Sequence, residues 1–232
     1  MATTDVALHE ASGQGEQKRV VNNMSIQVAT VNGSGSQSSN SVLLRSIFQM
    51  GVPVSGKNLF PSNIAGLPTW YTIRANKDGY IARKKEIDLL IAMNAETAQE
   101  DVMSLAPGAA VLYDEPLGLN KLRNDLVFYS VPYDKLVAPV CPEAKLRKLV
   151  KNMIYVGVAA NLLGIDMAEV EKALRKQFAK KAKAANLNLA AVRAGFDYAA
   201  ASLTKQDPYF VQRMDKTQGM IIIDGNSAAA LG

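Results

Sequence analysis

Cysteine and histidine are nearly absent from this 232-residue chain, and each shortage excludes a class of chemistry. The one cysteine, Cys141, rules out an internal disulfide and any iron–sulfur or zinc-thiolate site built from this chain alone. The one histidine, His9, lies in a polar stretch, which argues against a histidine metal site or a catalytic triad. With no histidine to activate it, Cys141 reads as a packing residue. Aromatics are only 6% of the residues, and no nucleic-acid-binding module with its stacking platform is recognisable. No apolar run approaches the ~18 residues that a membrane span needs. The N-terminal "MATTDVALHEASGQGEQKRVVNN" has no apolar signal core either. These lacks predict a cytoplasmic protein with no membrane span and no nucleic-acid partner.

What is present suits a globular core: 48% hydrophobic and 20% charged residues, enough for one large domain or one domain with appendages. The net charge is +5, and "RKQFAKKAK", Arg175 to Lys183, concentrates part of it. Such a run reads as a solvated helical face or as a surface for an acidic partner or polyanion.

The stretch "VATVNGSGSQSSNSVLLRSIFQMGV", Val28 to Val52, is the most informative local pattern. "SIQVATV" before the turn alternates as a strand, while Val42, Leu43, Ile47 and Met50 recur at helical spacing. The join "NGSGSQ" has Gly33 and Gly35 and no bulky side chain, so backbone can turn sharply and be closely approached. A helix beginning there aims free N–H groups and its positive dipole end into the turn, which suits an anion. The pattern is neither a complete GxGxxG nor a Walker lysine–serine loop, so a phosphate cradle and a plain tight corner both remain open.

Residues 1–23 are polar and predict a flexible N-terminal tail. "GVPVSGKNLFPSNIAGLP", dense in Gly, Pro, Ser and Asn, reads as loop, "TWYTIRA" as a strand, and "NKDG" before "YIAR" as a hairpin turn. "IDLLIAM", "AAVLYDE" and "LVFYSVPY" are continuous apolar runs of strand length, the mark of strands covered on both faces. "AETAQEDVMSLA" between the first two reads as a helix stopped by Pro107-Gly108. The pattern predicts an α/β fold: a three-layer open sheet with helices on both faces and a helical C-terminal part from Pro142. Asp166 with Glu169 forms a capping-box pattern ahead of one of those helices. "NLNLAAVRAGFDYAAASL" reads as a further helix with Asn186 as its possible cap. The organisation expected is a tail at 1–23, a domain at 24–204, a linker at 205–219 and, at 220–232, a strand and helix start that open another domain.

The block "SGKNLFPSNIAGLPTWY", Ser55 to Tyr71, and its surroundings resemble the γ-type domain of the 2-oxoacid:ferredoxin oxidoreductases. The similarity runs from about Ser25 through Ser202, in the form in which that domain is fused ahead of the α subunit, as in 2-oxoglutarate:ferredoxin oxidoreductases. "GNSAAALG", Gly225 to Gly232, resembles the opening of the thiamine-binding α domain that follows in that arrangement. The resemblance implies a heteromeric complex with a β subunit and the remaining α domain as partners and ferredoxin as electron acceptor. It implies thiamine diphosphate, Mg2+ and [4Fe-4S] clusters in the complete complex but not on this chain alone. It also implies that the γ-type domain handles coenzyme A as a co-substrate.

On that resemblance the expected ligand contacts are Gly33, Gly35, Ser36 and Gln37 at the turn, and Lys57, Asn58, Ser62 and Asn63 in the loop after the helix. The loop residues read equally as self-capping of an irregular segment. Trp70 and Tyr71 are candidates to stack a base, with one of the two expected in the core, and Arg74 and Arg83 are candidate cations. Asp88, Asp114 and Glu115 sit at strand ends without a matched acid/base pair and read as caps or ion pairs. Two further readings stand beside the coenzyme-binding one: a non-catalytic assembly module with a purely structural turn, or an oxidoreductase subunit acting on pyruvate or another 2-oxoacid. A free-standing nucleotide-binding enzyme is disfavoured by the incomplete fingerprint.

Overall fold

The computed structural model describes residues 19–61 and 64–232. Six strands form one sheet in the order β3-β4-β2-β5-β6-β7. They are β2 (Asn23–Val31), β3 (Val54–Leu59), β4 (Pro68–Asn76), β5 (Leu89–Ala92), β6 (Ala110–Asp114) and β7 (Val127–Val131). β2, β5, β6 and β7 run parallel, and β4 is antiparallel to both β2 and β3. Two short strands, β1 (Val20–Val21) and β8 (Tyr209–Phe210), pair in a separate ribbon.

The apolar runs of the parallel strands are explained by layers on both faces. Leu89 and Ile91 face a large core with helices α1 (Ser36–Gln49), α3 (Tyr133–Val140), α4 (Ala144–Leu163), α5 (Met167–Gln177) and α6 (Ala182–Ser202). Leu90 and Ala92 face a smaller core under α2 (Ala98–Met103). Alternation on a strand sends neighbours to opposite faces, so a strand buried on both must be apolar throughout. The expected three-layer α/β sheet with a helical C-terminal part is what the chain forms.

Several local expectations give way. The Gly- and Asn-rich "VSGKNL" is the edge strand β3, because β4 supplies a full antiparallel register for it from Val54↔Ala75 to Leu59↔Trp70. A turn does form at Lys77–Asp78, closed by the Gly79 N–H donating to the Asn76 carbonyl at 3.1 Å, but no strand returns from it. β4 already has β2 and β3 as neighbours, so the chain crosses instead to β5. The α3 helix is unexpected from the sequence and tolerates Pro139 near its end. α6 starts at Ala182, so Asn186 lies inside the helix and not at its cap. Asp166 caps α5 through the Ala168 N–H at 2.9 Å, yet the Glu169 carboxylate turns to Arg213 at 3.0 Å and does not close the box.

The ends are also more integrated than their composition suggests. Residues 1–18 of the expected tail lie outside the described residues, whereas Val20–Val21 is paired and Asn22 is buried. The stretch expected to be a linker is fastened to the sheet: Tyr129 Oη donates to Asp207 at 2.6 Å, and Val211 joins the core. "MIIID" forms no strand; Met220 and Ile221 are exposed, and α7 (Gly225–Ala230) follows with Asp224 as its cap.

Candidate functional site

The glycine turn lies at the carboxyl end of β2, where the sheet changes direction. The chain leaves β2 for α1 on one face and leaves β5 for α2 on the other. Such switch points leave a crevice outside the strand ends. Here it is a cleft of about 410 Å3 lined by Gly33, Gly35, Ser36 and Gln37 on one side and Asn58, Thr69 and Tyr71 on the other.

Gly33 and Gly35 both have φ of 83°, the left-handed region that glycine enters without strain. No side chain caps α1, and no acidic residue occupies its first turn, so its amides and dipole face the cleft uncompensated. The turn is rigidly held from behind. Asn152 Nδ2 on α4 donates to the Ser34 carbonyl at 2.7 Å, and Tyr155 Oη donates to Asn40 Oδ1 at 2.7 Å. Asn32 holds the opposite wall, its backbone exchanging hydrogen bonds with Leu67 and Gly66.

The expected residues divide cleanly. Gly33, Gly35, Ser36, Gln37 and Asn58 line one cleft. Ser36 is buried, and its hydroxyl lies 2.9 Å from that of Thr30, so it is already partnered. Lys57 is exposed on the alternate face of β3 from Asn58 and does not line the cleft. Ser62 and Asn63 lie outside the described residues. Tyr71 pairs in register with Asn58 and packs on the α1 side, while Trp70 packs against the α2-side core and donates its indole N–H to Asp101 at 2.9 Å; both residues line the cleft. Burial pushes the Tyr71 phenol up to about 12, with Arg45 acting in the opposite sense.

The two candidate cations do not serve the turn. Arg74 is buried at the far end of β4, bound to Asn23 Oδ1 at 2.6 Å and the Ala75 carbonyl at 2.9 Å, and Arg83 is exposed away from the cleft. The carboxylates act as caps and ion pairs. Asp88 accepts the Ser25 N–H at 2.7 Å, Asp114 meets Lys151 at 2.8 Å and Glu115 meets Lys135 at 3.0 Å. Cys141 is a buried core residue.

A second groove of about 740 Å3 adjoins the cleft and shares Gln37, Asn58 and Tyr71 with it. α1 presents Gln37, Ser41 and Arg45 to it at helical spacing, a polar stripe that the sequence reading missed. The first residues of α1, Ser36 to Ser41, are all polar, so the sequence alone did not single this stripe out; the lone cation of the helix, Arg45, was the available signal.

An open α/β sheet with its crevice at a glycine turn between the sheet's two directions defines the class of this protein. Within that class the chain belongs to the pyruvate ferredoxin/flavodoxin oxidoreductase family, whose model matches residues 25–198. Among curated proteins it is 24% identical to the α subunit of 2-oxoacid:ferredoxin oxidoreductase 2 of Aeropyrum pernix, over 90% of this chain and 39% of that one. It is 19% identical to the α subunit of 2-oxoacid:ferredoxin oxidoreductase 1 of Sulfurisphaera tokodaii, over 86% of this chain and 37% of that one. Among solved structures, 2-oxoglutarate:ferredoxin oxidoreductase from Magnetococcus marinus, with 2-oxoglutarate, coenzyme A and succinyl-CoA bound, superposes with a TM-score of 0.79 at 27% identity. That match covers 93% of this chain and 37% of the other. The γ subunit of a keto/oxoacid ferredoxin oxidoreductase from Geobacter sulfurreducens shares the fold, with a TM-score of 0.61 at 18% identity, over 77% of this chain and 99% of that one. The chain thus spans well under half the length of the α subunits it matches.

Proposed function

We propose that this chain is the coenzyme A-handling part of a cytoplasmic 2-oxoglutarate:ferredoxin oxidoreductase, a complex that forms succinyl-CoA and reduces ferredoxin. The observation that carries the reading is the uncapped start of α1, opening through a glycine turn into a cleft walled by Asn58 and Tyr71. Amide donors at a helix start suit a diphosphate, and a preformed cleft holds it without a large ordering cost. The coenzyme bound in the Magnetococcus relative supports the same choice of ligand and of 2-oxoacid.

The redox chemistry belongs elsewhere in the proposed complex. One buried cysteine cannot supply the thiolates of a [4Fe-4S] cluster, and among the described residues no group of three His, Cys, Asp or Glu side chains could hold a metal ion. Thiamine diphosphate, Mg2+ and the clusters are therefore assigned to the remaining α domain and the β subunit. What this chain contributes is binding and orientation of the thiol-bearing substrate. The exposed Met220 and Ile221 support reading residues 220–232 as the opening of a following domain, after a main domain at 24–204.

The test is calorimetry and steady-state kinetics on the assembled complex. Asn58→Ala and Gln37→Ala should raise the KM for coenzyme A and leave that for the 2-oxoacid unchanged, and 2-oxoglutarate should win a panel of 2-oxoacids. A complex that binds neither coenzyme A nor dephospho-coenzyme A would leave the chain as an assembly module with a structural turn.

A further inference from the structure

Arg45 is half-buried in the groove that continues the cleft, and among the described residues no carboxylate pairs with it. Lys151 and Lys205, also half-buried, have carboxylates at 2.8 and 2.6 Å, while Arg74 and Arg147, which have none, donate to the Asn23 side chain and to backbone carbonyls; Arg45 has neither kind of partner among the described residues. A cation withdrawn from water without a counter-charge is costly unless an anion from outside completes it. The other charged group lining the groove, Asp224, accepts from the Ser227 N–H and hydroxyl at the start of α7 and makes no ion pair with Arg45.

Position makes the free cation useful. Arg45 stands eight residues beyond Gln37 on the same stripe of α1, about 12 Å along the axis at about 1.5 Å per residue. Helical side chains lean back toward the helix start, and the charge of Arg45 acts on the Tyr71 phenol that both cavities share. Ser41 adds a hydroxyl to the same groove, while that of Ser55 already donates to the Ile81 carbonyl. The cleft and the groove therefore offer two anion sites of different kinds in one continuous channel: amides at the glycine turn and a guanidinium beyond Tyr71.

We propose that the groove is a second anion subsite, in which Arg45 takes the phosphate on the ribose of the coenzyme while the glycine turn takes its diphosphate. This rests on the coenzyme A reading above and adds to it the residue that distinguishes the 3′-phosphorylated coenzyme from its dephospho form. A planar guanidinium forks onto a phosphate with two parallel hydrogen bonds, which a backbone nest does not offer.

The experiment is calorimetric titration of the assembled complex with coenzyme A and with dephospho-coenzyme A, for the native protein, Arg45→Gln and Arg45→Lys. The native complex should prefer coenzyme A. Arg45→Gln should weaken coenzyme A by about tenfold or more and leave dephospho-coenzyme A unchanged. Arg45→Lys should restore part of the preference. Equal losses for both ligands, or no change for either, would overturn the assignment of Arg45 while the coenzyme reading stood. Dissociation of the Arg45→Gln complex on gel filtration would also overturn it, placing Arg45 against a partner subunit. If the native complex binds neither ligand, the coenzyme reading fails first and this subsite with it.

Discussion

Asn152 and Ser34 are 118 residues apart in sequence, yet the Asn152 side-chain amide donates to the Ser34 carbonyl at 2.7 Å, with both residues buried. The bond ties the back of the glycine turn to the middle of α4, so the geometry of the cleft depends on the packing of the helical layer. Asn152→Ala should leave that carbonyl unpaired and cost about 1–3 kcal/mol, read as a lower urea midpoint with an unchanged m-value. Coenzyme A affinity should fall as well, because the turn loses its rear support. An unaltered midpoint would mean that water replaces the amide without cost.

Gly33 and Gly35 should respond differently to the same substitution, although their φ angles are equal. Among the described residues a Cβ on Gly33 would meet only Ala65 Cβ at 3.6 Å, so Gly33→Ala should cost just the left-handed strain, about 1–2 kcal/mol. A Cβ on Gly35 would come within 2.7 Å of Leu149 Cδ2, adding a clash with α4. Gly35→Ala should therefore be the more destabilising, and Leu149→Ala should recover the difference. Thermal denaturation of the three variants measures it. Equal losses at the two glycines would show that Leu149, which is exposed, simply swings aside.

Asp101 gives a pH-dependent stability with a definite sign. Burial pushes its carboxyl above the usual aspartate range, with the Trp70 indole N–H pulling the other way. A carboxyl whose folded value is raised holds its proton longer in the fold than in the unfolded chain. Its contribution is greatest below the unfolded value and is lost as pH rises through the folded value. Asp101→Asn keeps an oxygen for Trp70 and removes that loss, so it should stabilise the protein at neutral pH and be neutral at strongly acid pH. Unfolding followed at both pH values decides it, with the chain's one tryptophan as the optical probe. A destabilised Asn variant at neutral pH would show that the charge is needed.

Tyr129 holds the 205–211 segment. Its hydroxyl donates to Asp207 Oδ2 at 2.6 Å and accepts from the N–H groups of Gln206 and Asp207 at 2.8 and 3.1 Å. Tyr129→Phe should strip a buried carboxylate and two amides of a partner at once. We expect faster amide exchange across 206–211 well before global unfolding, together with an overall loss of about 2–3 kcal/mol. Unchanged exchange would assign the holding role to Lys205, which pairs with the same carboxylate.

Local patterns in the sequence determined the parts of this protein that neighbouring residues specify. The strand before the glycine turn, the helix after it and the doubly covered strands around Leu90 and Leu112 follow from period and apolar content alone. The turn's own residues, Gly33 to Gln37, were legible for the same reason, since glycine spacing is a local signal. Only the tertiary structure decided the rest. "VSGKNL" lacks the composition of a strand and becomes one because β4 offers it a ladder of backbone partners, which in turn sends Asn58 into the cleft and Lys57 away from it. The linker-like 205–219 is fixed by residues far earlier in the chain, Tyr129 at Asp207, Met50 at Met214 and Phe48 at Thr217. The cation in the channel is Arg45 and not Arg74 or Arg83 because of which face of α1 the edge strand covers. Pairings between distant segments carry these outcomes, and no local period encodes them.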